Sequence, residues 1–181
     1  MNKVLYSKNL IACVEKHLAS ELNREYQGKH PILLCVLKGA FMFLSDLVKL
    51  LEFPFEIEFC QISTYGNAQQ SPKGSGHNVF LNFDPEVLRD RDVVIVEDIV
   101  DSGKTINFLL GYLTHFFVAD VKVCVLLSKL SRRDVGVPID FLGFEIPDKF
   151  VYGYGLDLKG EKRGLPDIWY LVEPGVKALK N

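Results

Sequence analysis

Apolar residues along this chain follow two periods, and stretches of each kind alternate. Leu10, Ile11, Val14, Leu18 and Leu22 fall at helical spacing, which predicts an amphipathic helix over Lys8 to Glu25 with a solvated charged face. Pro31 introduces the unbroken run Ile32 to Leu37, which reads as a buried strand. After Lys38-Gly39-Ala40 helical spacing returns over Phe41 to Leu51. Phe55, Ile57 and Phe59 alternate with Glu56, Glu58 and Cys60, the pattern of a half-buried strand. Ser63 to His77 is polar and rich in Gly, Ser, Gln and Asn, and it leads to another strand at Val79 to Phe83. Val93 to Val96 is apolar and β-branched throughout, so it reads as a strand buried on both faces, the kind found in parallel sheets. A helix over Ile106 to Phe117, a buried strand over Val121 to Leu127 and a short final strand over Trp169 to Val172 complete the pattern. Strands alternating with helices predict an α/β fold: a mostly parallel twisted sheet flanked by helices on both faces.

The composition suits this picture and removes several classes of function. The chain has 181 residues, 48% hydrophobic and 24% charged, enough for one domain over 1–181 with a sizeable core. A formal net charge of -2 gives no electrostatic case for nucleic acid or an anionic membrane, so anionic ligands would need local cations or metal ions. Cys13, Cys35, Cys60 and Cys124 are widely spaced and show no metal-ligand pattern. Free thiols in a reducing cytoplasm are the expectation. The start, MNKVLYSKNL, lacks the apolar core of a signal peptide, and no apolar run approaches membrane-spanning length.

The chemistry concentrates in Arg91 to Thr105, RDVVIVEDIVDSGKT. Glu97, Asp98 and Asp101 follow the apolar run, at the carboxyl end of a strand, where open α/β sheets bind ligands. Ser102, Gly103, Lys104 and Thr105 then open a helix. A small, hydroxyl-bearing turn at a helix start points backbone N–H groups at an anion, and the helix dipole favours negative charge there. Carboxylates accept from hydroxyl groups while the turn donates to phosphate, so a phosphorylated sugar satisfies both halves. A Walker loop competes, but its first glycine would stand at position 98, which is Asp98. Three carboxylates beside such a turn serve no packing need. Lys38-Gly39 forms a second strand–turn–helix junction with a cation.

This stretch resembles the phosphoribosyl pyrophosphate signature of type I phosphoribosyltransferases, and within them the hypoxanthine-guanine branch. FEIPDKFVYGYGLD, Phe144 to Asp157, is similar to that branch's own string, and the resemblance extends over most of the chain. It implies the type I fold with a small hood from the terminal segments. It makes Lys38-Gly39 the pyrophosphate loop, with a cis peptide between Leu37 and Lys38. It assigns the ribose hydroxyls to Glu97 and Asp98, with or through magnesium. The 5-phosphate falls to Asp101, Ser102, Gly103, Lys104 and Thr105, and Arg163 contacts pyrophosphate. Lys129 would hydrogen-bond the purine 6-oxo group, Phe150 would stack on the ring, and backbone around Val151 would read its edge. Asp157 matches a magnesium ligand and stands in the purine-binding segment. Asp101 would also reach the purine and handle its proton. Thr64-Tyr65 matches the Ser-Tyr of a flexible catalytic loop, Thr64 keeping the hydroxyl. Ala40, Ser102 and Gly155 also depart from the family's frequent residues without removing a charge or donor used here.

The activity so implied is Mg2+-dependent transfer of a phosphoribosyl group from phosphoribosyl pyrophosphate to hypoxanthine or guanine. The expected protein is a cytoplasmic homodimer or homotetramer acting on small molecules, with no nucleic acid and no membrane as partner. Lys only donates, so Lys129 favours a 6-oxo over a 6-amino purine. A regulatory protein that kept the site and lost catalysis would carry a DNA-binding domain or a basic face, which the length and charge oppose. A hydrolase built on the GKT turn is opposed by Asp98 at the Walker glycine. Ser63 to His77, long and polar between two strands, has the makeup of a lid that keeps water from the reacting carbon. Hydrogen exchange in this stretch is expected to slow when phosphoribosyl pyrophosphate and purine are both bound; equal exchange with and without them would reject the lid.

Overall fold

In a computed structural model of the chain, residues 2–64 and 77–172 are described, with backbone only at Thr64 and His77. Six strands form the main sheet: β2 (Ile32–Leu37), β3 (Glu56–Thr64), β4 (His77–Leu81), β5 (Asp92–Val100), β6 (Asp120–Ser128) and β7 (Phe141–Glu145), in the order β4-β3-β2-β5-β6-β7. Every neighbouring pair is parallel except β3 with β4. β1 (Lys3–Tyr6), β8 (Val151–Tyr152) and β9 (Ile168–Tyr170) make a separate antiparallel sheet in the order β1-β9-β8. Together the two sheets give a mixed α/β architecture; the smaller sheet lies at the residues where the resemblance places a hood, and is called the hood.

The helices follow the predicted periodicity. α1 (Lys8–Glu25) buries Ile11, Leu18, Ala19 and Leu22. Its first N–H, on Lys8, donates to Asp167 Oδ1 at 2.7 Å, so a residue beside the hood satisfies one of the helix's open donors. α2 (Phe41–Leu47) is shorter than its apolar pattern: Val48–Leu50 tightens to a 3-10 turn, and Leu51 is extended ahead of Pro54. α3 (Lys104–Leu113) likewise ends early, in a 3-10 turn at Thr114–Phe116.

β5 is the spine of the sheet and is longer than its apolar run. Glu97 pairs with Val125, Ile99 with Leu127 and Val100 with Ser128, so Glu97 and Asp98 lie inside the strand and only Asp101 stands beyond it. The reason is β6, which runs to Ser128 and keeps the ladder going under the carboxylates. β4 sits two residues earlier than its apolar pattern because its register with β3 pairs Cys60 with Leu81 and Thr64 with His77. β1 and β8 have four and two residues, too few to show a period.

Alternation along β5 feeds two cores. Val94 and Val96 belong to the one that contains α1, α2 and the hood residues Val151 and Ile168. Val93 and Ile95 belong to the other, beneath Ile106, Leu109 and Leu113 of α3. Cys35, Cys60 and Cys124 are buried in these cores and Cys13 is exposed; all four are free thiols. Among the described residues no helix is long and apolar enough to cross a membrane.

Candidate active site

Parallel pairing brings the carboxyl ends of β2, β5 and β6 to one edge of the sheet. Lys38-Gly39 follows β2, Asp101 to Thr105 follows β5, and Lys129 follows β6. Glu97 and Asp98 are each only 8% exposed, in the last half of β5. Asp98 Oδ1 accepts from the Ile99 N–H at 2.9 Å, whereas Glu97 Oε2 is buried without a partner. Burial, and then the neighbouring Asp98, raise Glu97 well above the usual carboxylate range. Burial also raises Asp98, opposed by hydrogen bonds from Glu97 and the Ile99 N–H and by the Arg163 charge. Two carboxyls this close and this dry favour holding a proton between them. A hard cation with oxygen ligands fits the same pair, because it would occupy the bare Oε2 and replace that proton. Among the described residues no group of three or more acidic, His or Cys side chains is placed to hold a metal alone. The remaining ligands of such an ion would come from a substrate.

Glycine governs the approach of the neighbouring segments. A Cβ at Gly39 would overlap the Asp98 carboxylate, and one at Gly155 would overlap the Gly39 carbonyl. Asp98, Gly39 and Gly155 are therefore stacked backbone to side chain, with the Leu37–Lys38 peptide cis and Lys38 exposed at the edge. Gly155 O accepts from Arg163 Nη1 at 2.7 Å, and Arg163 Nη2 donates to Asp157 Oδ1 at 2.8 Å. Asp157 Oδ2 accepts from the Gly160 N–H at 2.8 Å. The sequence-predicted Lys38, Gly39, Asp98, Asp157 and Arg163 thus form one continuous line, though Lys38 and Arg163 are 125 positions apart in sequence.

The turn after β5 is braced from outside. Gly103 caps α3 at φ +83°, with Val135 O and the Arg133 side chain where a Cβ would stand. Ser102 O accepts from the N–H groups of Asp134 and Val135 at 3.0 and 3.1 Å. The Lys104 ammonium turns to Asp134 at 2.7 Å, so its side chain is committed to that brace and the turn offers an anion its backbone donors and hydroxyls.

Beside the turn lies a pocket of about 750 Å³. Asp101, Lys129 and Phe150, predicted from the sequence, line it together with Arg132, Asp148 and Tyr170. Lys129 is 7% exposed, and its Nζ lies 3.5 Å from Asp101 Oδ2 and 3.9 Å from Asp148 Oδ1. Arg132 Nε donates to Asp101 Oδ1 at 2.9 Å, and Arg132 Nη1 lies 3.5 Å from Asp148 Oδ2. Arg132, at the end of a 3-10 turn, and Asp148 carry no periodic signal; only the fold lets Arg132 bridge Asp101 and Asp148. Phe150 is half exposed at the pocket wall, while Val151 is buried in the core and offers the site backbone alone. Of the predicted lid, Tyr65 lies outside the described residues, and Thr64 is the last residue of β3.

A parallel sheet whose carboxyl edge combines an anion turn, a buried acidic pair and a pocket with a lysine at its base defines a nucleotide-forming α/β transferase. The family model of the phosphoribosyl transferase domain matches residues 2–159, and the chain belongs to that family. It is 40% identical over 171 residues to a hypoxanthine-guanine phosphoribosyltransferase from Bacillus subtilis, covering 94% of this chain and 93% of that protein. A protein of the same description from Streptococcus pneumoniae is 37% identical over 176 residues, covering 96% and 94%. Among solved structures, a hypoxanthine phosphoribosyltransferase from Staphylococcus aureus superposes with a TM-score of 0.85 at 32% identity, covering 94% and 91%. A hypoxanthine-guanine phosphoribosyltransferase from Bacillus anthracis gives 0.83 at 34%, covering 94% and 98%.

The stacking at Gly39 generates a stability contrast. Gly39→Ala is expected to lower unfolding free energy by about 1–3 kcal/mol through overpacking against Asp98. Gly111→Ala, in the interior of α3 with open space around it, is expected to raise it by roughly 1 kcal/mol. Urea unfolding of both variants checks the pair.

Proposed function

We propose that this chain, one domain over 1–181 beneath its hood, transfers the phosphoribosyl group of phosphoribosyl pyrophosphate to hypoxanthine or guanine. The observation that carries the proposal is the adjacency of the anion turn, the buried Glu97–Asp98 pair and the Lys129 pocket. The names of the relatives at 34–40% identity support the choice of purine.

Each residue then has a task. Backbone N–H groups of Ser102 to Thr105 and the hydroxyls of Ser102 and Thr105 hold the 5-phosphate. Glu97 and Asp98 accept from the ribose hydroxyls. Lys38, the Gly39 backbone and Arg163 face the pyrophosphate, Arg163 through a fork already oriented by Gly155 O and Asp157. The purine enters the pocket between Lys129 and Phe150, its 6-oxo group accepting from Lys129 and its ring lying on Phe150, with backbone at Val151 along its edge. Glu97 with Asp98, and separately Asp157, would hold Mg2+ with the substrate's oxygens, and the metal would supply positive charge to the leaving group. N9 attacks the anomeric carbon as the bond to pyrophosphate breaks, and pyrophosphate leaves with the electron pair. The carbon is oxocarbenium-like midway, so the protein's contribution is positioning and electrostatic stabilisation. Asp101, at the junction of turn and pocket, accepts the proton that the purine ring must shed; Arg132 and Lys129 hold its two oxygens toward that spot.

The protein works in the cytoplasm as a homodimer or homotetramer. The free thiols suit a reducing compartment, and exposed Phe41, Ile57 and Phe80 offer apolar surface to a second copy.

Purified protein mixed with Mg2+, phosphoribosyl pyrophosphate and each of hypoxanthine, guanine and adenine is expected to form nucleotide from the first two. Absence of product from both would overturn the proposal. Lys129→Ala is expected to raise the KM of hypoxanthine and guanine at least about tenfold, the scale of one lost charge-assisted hydrogen bond, and to leave phosphoribosyl pyrophosphate binding nearly unchanged. Wild-type purine affinity and discrimination in that variant would remove Lys129 from the role.

Asp101→Asn keeps the size of the side chain and loses its basicity. Turnover is expected to fall on the order of a hundred- to ten-thousandfold, with a much smaller change in the Kd of phosphoribosyl pyrophosphate. Near-normal turnover would place the base elsewhere, and loss of binding instead of rate would make Asp101 a ligand of the phosphoribosyl group.

A further inference from the structure

The phenol of Tyr154 stands apart from the purine pocket, between α1 and α2. Its oxygen is in hydrogen-bond contact with Glu15 Oε1 on α1 and lies 2.7 Å from Asp46 Oδ2 on α2. A phenol carries one proton, and an ionised carboxylate offers only acceptors. With both carboxyls ionised, one of the two contacts would set lone pair against lone pair. The set is satisfied when one carboxyl keeps its proton and donates to the phenol oxygen while the phenol donates to the other. Asp46 is the ionised member: burial raises its carboxyl, but hydrogen bonds from Lys49, at 2.7 Å, and Tyr154 bring it below its usual range. Glu15 is 4% exposed, and burial pushes it up to about 7, with Tyr154 and Lys49 only partly opposing and Asp46 adding to the rise. Tyr154, Asp46 and Lys49 are the titratable and charged groups that face it from the elements packed on α1.

The backbone of the same tyrosine carries the line of glycines at the site. Tyr154 sits at φ +49° between Gly153 and Gly155, both at φ +93°, a conformation a tyrosine holds only when its surroundings impose it. Its N–H donates to Leu165 O at 2.8 Å, and the Gly155 N–H donates to Arg163 O at 2.9 Å. Gly155 rests on the Gly39 carbonyl and holds Arg163 through its own.

We infer that Glu15, Tyr154 and Asp46 form a proton-dependent clasp that positions Gly155 and Arg163 against the Lys38-Gly39 turn, so that the hold on phosphoribosyl pyrophosphate weakens when Glu15 loses its proton. The inference rests on the phosphoribosyl-transfer reading above. Glu15 and Tyr154 are positioning residues, since neither lines the purine pocket. The sign follows from Glu15 being raised in the folded protein: its contribution is full below the unfolded carboxyl value and is lost as pH rises through about 7.

Glu15→Gln supplies an amide N–H to the phenol at every pH and so mimics the protonated clasp. Wild type and Glu15→Gln are compared between about pH 6 and about pH 8.5, bracketing the transition. The ratio of their KM values for phosphoribosyl pyrophosphate is expected to rise about three- to tenfold across that range, the effect of one hydrogen bond, while the ratio of purine KM values stays flat. Tyr154→Phe is expected to show the weakened hold at every pH, with purine KM unchanged. A flat ratio for phosphoribosyl pyrophosphate overturns the inference, as does a purine KM that moves with it. Urea unfolding of wild type and Glu15→Gln over the same range needs no substrate: wild type is expected to lose stability relative to the variant as pH rises. If neither protein makes nucleotide, the transfer reading fails and the substrate half of the clasp fails with it. A stability difference independent of pH overturns the clasp whatever the turnover.

Discussion

The Asp98 carboxylate fills the space that any side chain at position 39 would need, and much else in the site depends on that contact. Because Gly39 has no side chain, the turn after β2 closes onto β5. Because Gly155 has none either, the segment after β8 closes onto that turn. Arg163 and Asp157 are then brought to the sheet edge by hydrogen bonds to Gly155 and to each other. A larger residue at either glycine would separate the anion-facing groups from the acidic pair.

Electrostatics divides the site into two halves. The Glu97–Asp98 pair is buried and short of compensating cations, a poor arrangement for an empty core and a good one for a divalent ion carried in with a substrate. The pocket is the reverse: Asp101 and Asp148 face Lys129 and Arg132 in a closed set of partners. A ligand inserted there would have to exchange those contacts for its own. The turn between the halves is braced by the Asp134 and Val135 N–H groups on Ser102 O and by the Lys104–Asp134 pair.

Elements with a strong period were legible in the chain itself. Lys8–Glu25 and Ile32–Leu37 form where their apolar spacing puts them. The errors are local and have causes. β5 outruns its apolar stretch because β6 keeps pairing with it, and α2 stops short of Leu51 ahead of Pro54. β1 and β8 leave no signal in the sequence because strands of four and two residues have no measurable period, and both pair with β9.

The sequence by itself determined the alternating strand and helix order, the parallel sheet, and the local motifs whose chemistry is carried by adjacent residues: Glu97-Asp98, the Asp101 to Thr105 turn, Lys38-Gly39 and Lys129. Those are short-range facts, written in consecutive side chains. The tertiary structure alone decided that Arg132 bridges Asp101 and Asp148, that Gly155 lies on Gly39, and that Tyr154 joins Glu15 to Asp46. Each of these joins residues from different elements, and no spacing rule connects them. Their contacts exist because burying the two faces of one sheet fixes where its helices and hood must lie, and burial is a property of the whole chain.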